Sequence, residues 1–249
     1  MDSIRPQKRR RGRPPAGESV VSREAVLAAG LRVLERNGLD ALTMRNVAEE
    51  LGVRAASMYW HVRDKDELLD LLSDELLADV DTRSPLDSVD WRVGLATFLR
   101  EMRCYLLARR DSARLLAGRF STGSNRLRCM EAILGALRST GLDGHDTAYA
   151  CYFLIVTVLG FVANEQAPLS VQVKNGMPPR EFLDGIRDHL AELPVAEYPN
   201  TLALATEITG PDLARRFDFA VERMLDGIDA LRRKREPSVP VDRPSGHEV

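Results

Sequence analysis

One stretch limits the possible folds of this chain more than any other: residues 43–62, Thr-Met-Arg-Asn-Val-Ala-Glu-Glu-Leu-Gly-Val-Arg-Ala-Ala-Ser-Met-Tyr-Trp-His-Val. Thr43 is placed to cap a short helix whose apolar positions Val47, Ala48 and Leu51 share one face. Gly52 supplies the positive φ of a tight turn, and a second helix is expected from about Arg54 to His61. This is helix-turn-helix spacing, in which the small Ala48, four residues before the glycine, lets two steeply crossed helices approach. The second helix presents Arg54, Ala55, Ala56 and Ser57 at its amino end, the end that enters the major groove in this motif. A glycine-jointed helix pair also occurs as plain scaffold, so the reading needs support from its surroundings.

That support starts with charge. The first fifteen residues carry Arg5, Lys8, Arg9, Arg10, Arg11 and Arg13 against Asp2, a balance of +5, while the whole chain of 249 residues is −2. The remaining −7 lies on the body, so a duplex-facing surface must be local. The arm is rich in Arg, Pro and Gly and poor in apolar residues, and is expected to be disordered when free. It lacks the apolar run of a secretion signal. Arg11-Gly12-Arg13-Pro14 resembles the core of an AT-hook, in which an extended Arg-Gly-Arg-Pro lies in the narrow minor groove of A·T-rich DNA. The alternative is a solvated tail that only raises non-specific affinity.

Helical periodicity accounts for nearly all of the rest, and the expected fold class is all-α. Ser22 opens a helix with Val26, Leu27, Gly30, Leu31 and Leu34 inward, ended by Asn37-Gly38. Asp64 and Glu67 form a capping-box pattern before a helix running to about Asp81. Helices are then expected over Trp91–Ala108, Asp111–Gly118, Asn125 to about Thr140, from Asp143 through Ala163, from Pro178-Pro179 to about Ala191, and from Pro211 to Leu231. The run 149–163 is apolar almost all round, which demands burial on several sides, yet it is shorter than the ~20 residues of a membrane span. Cys104, Cys129 and Cys151 sit on apolar helical faces without a Cys-x-x-Cys pair and read as core residues in a reducing cytoplasm. The glycine spacing of 118–123 lacks the lysine and preceding strand of a phosphate loop. No nucleophile–base or metal constellation is evident, so neither an enzyme nor a cofactor is expected, and the lone His61 is not a metal site.

Tyr59-Trp60-His61-Val62-Arg63-Asp64-Lys65-Asp66-Glu67-Leu68-Leu69, following the helix-turn-helix without a break, resembles the TetR family of bacterial one-component repressors. The resemblance is specific over about residues 22–70 and looser to about 232; around Leu159-Gly160-Phe161-Val162-Ala163-Asn164-Glu165-Gln166 it is to the tetracycline-repressor branch. It implies a basic arm at 1–20, a DNA-binding unit at 21–66, a ligand-binding and dimerisation unit at 67–232 and a frayed tail at 233–249. It also implies base or near-base contacts at Arg45, Ala55, Ala56 and Ser57, and backbone contacts at Tyr59, His61 and Lys65. Thr43 and Arg54, which open the two helices, join that DNA-facing set. Arg45 has the fork that matches guanine O6 and N7, and Ala55 and Ala56 suit thymine methyl groups. Trp60 is expected to pack against the first helix, since most large aromatics pack.

The same resemblance implies a small-molecule cavity and a four-helix dimer bundle from about 145–166 and 212–231. Positions that hold the metal–tetracycline complex in that branch fall on Asp81, Phe98, Leu116 and Asn164, which disfavours the chelate. The matching lining is Phe98, Met102, Leu116, Phe120, Tyr152 and Ile155, with Arg119 and Asn164 as polar anchors, a mix suited to a bulky, partly planar hydrophobic inducer. Such stripes are also ordinary core. The expected protein is a cytoplasmic homodimeric repressor of a near-palindromic operator, with a constitutive or architectural DNA-binding protein as the alternative.

Overall fold

The computed structural model describes residues 21–84, 86–119, 122–167 and 176–234, and the Arg9, Arg10, Arg11, Arg13 and Phe120 expectations lie outside them. Twelve α-helices and one 3-10 turn, with no strand, make up the regular structure of the described residues. Helices α1 (Arg23–Asn37), α2 (Met44–Leu51) and α3 (Ala55–Met58) form the amino-terminal unit, with the 3-10 turn Leu39–Ala41 between α1 and α2. Helix α4 (Lys65–Glu75) leads out of it to α5 (Trp91–Leu107), α6 (Ser112–Leu116), α7 (Ser124–Arg138) and α8 (Gly144–Gln166). An excursion of α9 (Pro179–Ala191), α10 (Pro199–Ala203) and α11 (Ala205–Ile208) precedes α12 (Leu213–Arg233).

The starts of the long helices obey local chemistry. Ser22, Thr43, Asp64, Asp90, Asp143 and Asp212 each accept a backbone N–H of the first turn, the pairing expected of N-cap side chains. At Asp64 the box is displaced by one residue, because Glu67 Oε2 accepts the N–H of Arg63, at 2.7 Å, beside its own N–H bond to Asp64. Helix α4 stops at Glu75, six residues before the end read from its apolar repeat. Leu76, Leu77 and Val80 are nevertheless buried in the turns that follow. Burying them requires no helix, so periodicity alone placed the end too late.

One continuous core joins both units. Val26, Leu34, Val47 and Met58 belong to the same cluster as Leu68, Leu72, Phe98, Leu116, Leu154 and Phe217. Gly30 on α1 faces Leu72 on α4, where a Cβ would lie 2.8 Å from a leucine methyl, so α1 and α4 touch at close range. By contrast no residue of α9 is buried. Its amphipathic face, with Ile186 and the following Val195, Tyr198, Leu204 and Ile208, is partly open to solvent.

Candidate functional site

The reading head is built from the sequence features that announced it. Thr43 Oγ1 accepts the Asn46 N–H at 3.2 Å, and Asn46 Nδ2 donates to Ala41 O at 2.6 Å, which fixes the entry of α2. Gly52 has φ 69 and ψ 28, and its N–H and that of Val53 return to the last turn of α2. Arg54 is the extended residue before α3, with φ −76 and ψ 140. Helix α3 is a single turn, shorter than the eight residues expected, and closes with His61 and Val62 N–H donating to Met58 O.

This shortness reverses the expectation for Trp60. Met58 and Val62 take the inward positions, at 0% and 1% exposure, whereas Trp60 falls on the turn after α3 and is 88% exposed. Arg45, Arg54, Ala56, Tyr59 and Lys65 are exposed as well, and Thr43, Ala55, Ser57 and His61 are half-buried. Glu50 behind them is held by Arg32 and Arg36 at 2.7 and 3.0 Å, and those hydrogen bonds keep its carboxyl below the usual range. Arg45 and Arg54 have no hydrogen-bonded or ion-pair partner among the described side chains. The surface around α3 therefore offers two free guanidinium groups and an uncovered indole, with the carboxylate turned inward.

Polar contacts fasten this head to the larger unit. The turn between α5 and α6 carries Asp111 in the left-handed region, φ 53, the one non-glycine residue with positive φ among those described. Its Oδ2 accepts the Leu39 N–H at 2.8 Å and its Oδ1 pairs with Arg114 at 3.2 Å, while Arg114 reaches Asp40 at 2.9 Å. Arg110 adds Nη1–H to Arg36 O at 2.8 Å. On its other side the turn is bound by Gln166 at the end of α8, whose Nε2 donates to Leu106 O, Arg109 O and Ser112 Oγ. Beside it opens a cleft of about 620 Å³ lined by Leu39, Asp40 and Lys65 of the head, Leu69 and Asp70 of α4, and Arg114, Leu115 and 117–119 beyond. The sequence reading missed Asp111 and this cleft; the one available signal was an aspartate, a residue tolerant of positive φ, just before a helix.

The candidate ligand residues divide. Phe98 and Leu116 are buried together in the core, with Met102 and Ile155 packed against it. Tyr152 and Asn164 are not with them. They lie on the outward stripe of α8 with Tyr149, Phe153, Val156 and Gly160, a stripe spaced at helical intervals, and Tyr152 is 70% exposed. Arg119 is already engaged, at 2.7 Å from Asp70. Helix α8 runs 23 residues with mean hydropathy 1.7 over its most apolar window, so the length argument against a membrane span made from 149–163 was too short. What marks it as a core helix is its packing: Cys151, Leu154, Val158 and Val162 are buried, and Glu165 makes a bidentate pair with Arg103, which also stacks on Phe217. On α12 Phe219 is 67% exposed, and Val93 on α5 and Leu127 on α7 are exposed in lesser degree. Cys104 is exposed, correcting its core reading, whereas burial pushes the Cys129 thiol up and the Cys151 thiol up to about 11.

Residues 26–72 match the family described as bacterial regulatory proteins, tetR family, and residues 84–232 match the tetracyclin repressor-like C-terminal domain. The chain is 38% identical over 204 residues to the tetracycline repressor protein class A from transposon 1721 of Escherichia coli, covering 82% of this chain and 88% of that one. Among solved structures it is similar to apo ActR from Streptomyces coelicolor, at 32% identity and TM-score 0.76 over 86% of this chain and 97% of that one. It is equally similar to ActR in complex with actinorhodin, with TM-score 0.76 over 85% and 97%. With two family descriptions covering its two units in order, the chain belongs to the TetR family of bacterial transcriptional regulators.

Proposed function

We propose that two copies of this chain form a repressor whose reading heads grip successive major grooves of a near-palindromic operator, and that a bulky, partly planar hydrophobic compound in the larger unit releases it. The observation that carries this reading is the exposed surface of α2 and α3. Arg45 faces outward to bind guanine, Ala55, Ala56 and Ser57 meet base edges, and Tyr59, His61 and Lys65 meet phosphates. The arm at 1–20 adds minor-groove or phosphate contacts, the head occupies 21–66, the ligand and dimer unit 67–232, and 233–249 is a tail.

Dimerisation follows from the outward stripe of α8 and from Phe219 on α12. Tyr149, Tyr152, Phe153 and Val156 form an apolar surface that water solvates poorly, and pairing with a second copy covers it. Tyr152 and Asn164 therefore belong to the dimer seam, and the ligand lies against Phe98, Met102, Leu116 and Ile155. The related ActR has been solved with actinorhodin and with (S)-DNPA, which supports a small-molecule inducer; the proposed inducer is antibiotic-like and the proposed target an efflux or biosynthesis gene. For release, the ligand must favour the conformation that does not bind DNA, since equal affinity for both states shifts nothing.

Footprinting of the purified protein on the DNA upstream of its own gene, repeated with a panel of lipophilic antibiotics, tests the proposal. Two protected half-sites about one helical turn apart, lost with at least one compound, are expected. One unpaired site insensitive to every compound would refute it.

A further inference from the structure

The ligand reading leaves the larger unit without a polar anchor. Arg119 is held by Asp70, and Asn164 lies on the outward stripe of α8, so the apolar Phe98, Met102, Leu116 and Ile155 remain. Apolar walls hold a flat compound in no particular orientation, which in such sites is fixed by a few placed polar groups. A donor of that kind stands beside Leu116, and no sequence motif announces it.

Arg126 lies in the first turn of α7. Its backbone N–H donates to Asp74 Oδ1 of α4 at 2.9 Å, and its Nη2 donates to Leu116 O, at the carboxyl end of α6, at 3.2 Å. The guanidinium is thereby fixed where α4, α6 and α7 meet, against a residue assigned to the ligand lining. Its Nη1 is buried and has no hydrogen-bond partner. Nor does Arg126 form an ion pair among the described residues. The two carboxylates that attract it through space are bound elsewhere. Asp70 pairs with Arg119 at 2.7 Å, and Asp74 Oδ2 lies 3.4 Å from Asn125 N and 3.3 Å from its Nδ2. Burial outweighs both attractions and lowers the pKa of the guanidinium, which nevertheless keeps its proton at neutral pH. A buried cation with an open N–H is costly and rare, because buried charges are ordinarily paired and buried donors bonded. What removes the cost is an anion that brings its own acceptor to Nη1.

We infer that Arg126 is the polar anchor of the ligand site and that it selects flat apolar compounds carrying an acidic group, such as a carboxylate. The inference deepens the proposed function and rests on the reading that Phe98, Met102, Leu116 and Ile155 face a ligand. Naphthoic, anthracenecarboxylic and pyrenecarboxylic acids, each paired with its own neutral carboxamide, isolate the charge from the shape. Equilibrium dialysis against the full chain at neutral pH gives both affinities of each pair. At least one acid is expected to bind about tenfold or more tighter than its amide, the ratio of a charged hydrogen bond to a neutral one. Arg126→Met should bring that ratio within twofold of unity. Arg138→Ala, which removes the same charge from an exposed position on the same helix, should leave it unchanged. Should the methionine variant not fold, Arg126→Gln, which can still donate to Leu116 O, carries the same measurement with the same expected ratio. Equal binding of acid and amide by the parent, as when water alone satisfies Nη1, overturns the anchor, as does binding of none of the acids. A preference that survives in the folded Arg126 variant, or is lost in Arg138→Ala, overturns it too. Footprinting with the same compounds separates the two readings. Release of operator DNA by acid and amide alike refutes the anchor and keeps the inducer reading, whereas an Arg126-dependent acid preference without release keeps the anchor and refutes the inducer reading.

Discussion

Asp111 is the residue on which the contact between reading head and larger unit is most exposed to experiment, because its backbone and its side chain pull in opposite directions. Asp111→Gly removes the acceptor of the Leu39 N–H, 2.8 Å away, and the partner of Arg114. A hydrogen bond to a charged group contributes about 1.5–3 kcal/mol net, and the largely solvated Arg114 pair adds less than about 1 kcal/mol. Glycine returns about 1 kcal/mol by relieving the left-handed backbone. The net loss for glycine is then about 1–2 kcal/mol, and for alanine, which keeps the strain, about 1 kcal/mol more. Asparagine tolerates the conformation and retains a neutral acceptor, so it should cost least of the three. Urea unfolding at one fixed protein concentration gives the differences, and amide exchange at Leu39 reads the bond itself. Loss of about 2 kcal/mol at that bond speeds local exchange roughly thirtyfold. Equal stability of the alanine and glycine variants, or unchanged Leu39 exchange in both, would refute the reasoning.

Four further outcomes are expected. Tyr152→Asp combined with Phe219→Asp should convert the proposed dimer to monomer in light scattering, because both charges would face the proposed seam; a persistent dimer would exclude that seam. Gly52→Ala should cost about 1 kcal/mol in thermal unfolding, all of it backbone, since no atom lies within 4 Å of the added carbon. In the native protein a disulfide reagent at pH 8 should titrate one thiol per chain, Cys104, and all three only after unfolding, since burial holds Cys129 and Cys151 protonated. Asp40 is held below its usual pKa by the hydrogen bond and charge of Arg114. Its pairing is therefore complete above the unfolded value of about 3.9 and is lost as pH falls through the lowered folded one; exchange in the Leu39–Ala41 turn should rise over that window and with salt.

Sequence reached the elements whose causes are local. Thr43, Asp64 and Asp143 cap residues three positions ahead, and Gly52 sets its own φ, so their roles follow from spacing. The family block at 59–69 then placed the larger unit correctly in kind. What escaped was non-local. Asp74 and Arg128 look like ordinary surface charges on two amphipathic helices, and only the fold shows Asp74 accepting the Arg126 N–H in the first turn of α7 and Arg128 donating to carbonyls of the turns after α4. Trp60 failed for a related reason: its side depends on where α3 stops, and one turn of difference moved it from core to solvent. Tyr152 and Ile155 are three residues apart on the same helix, yet one faces out and the other in; an all-round apolar helix carries no periodicity to separate them.

The two attachments of the reading head differ in what can disturb them. Between α4 and α7, Asp74 accepts the Arg126 N–H and Arg128 donates to Leu77 O, Ala78 O and Val80 O, in a region where Leu72, Leu76 and Leu77 are buried. The α5–α6 turn binds through exposed pairs, Arg114–Asp40 foremost, and through one strained aspartate. Exposed pairs are weak and strain favours release, so the turn is the softer of the two contacts. It is also the one connected onward, since Gln166 ties it to the carboxyl end of α8 while its Oε1 stays buried without a partner. A displacement at the end of α8 or in α6 therefore meets a firm joint on α7 and a yielding one at Asp111.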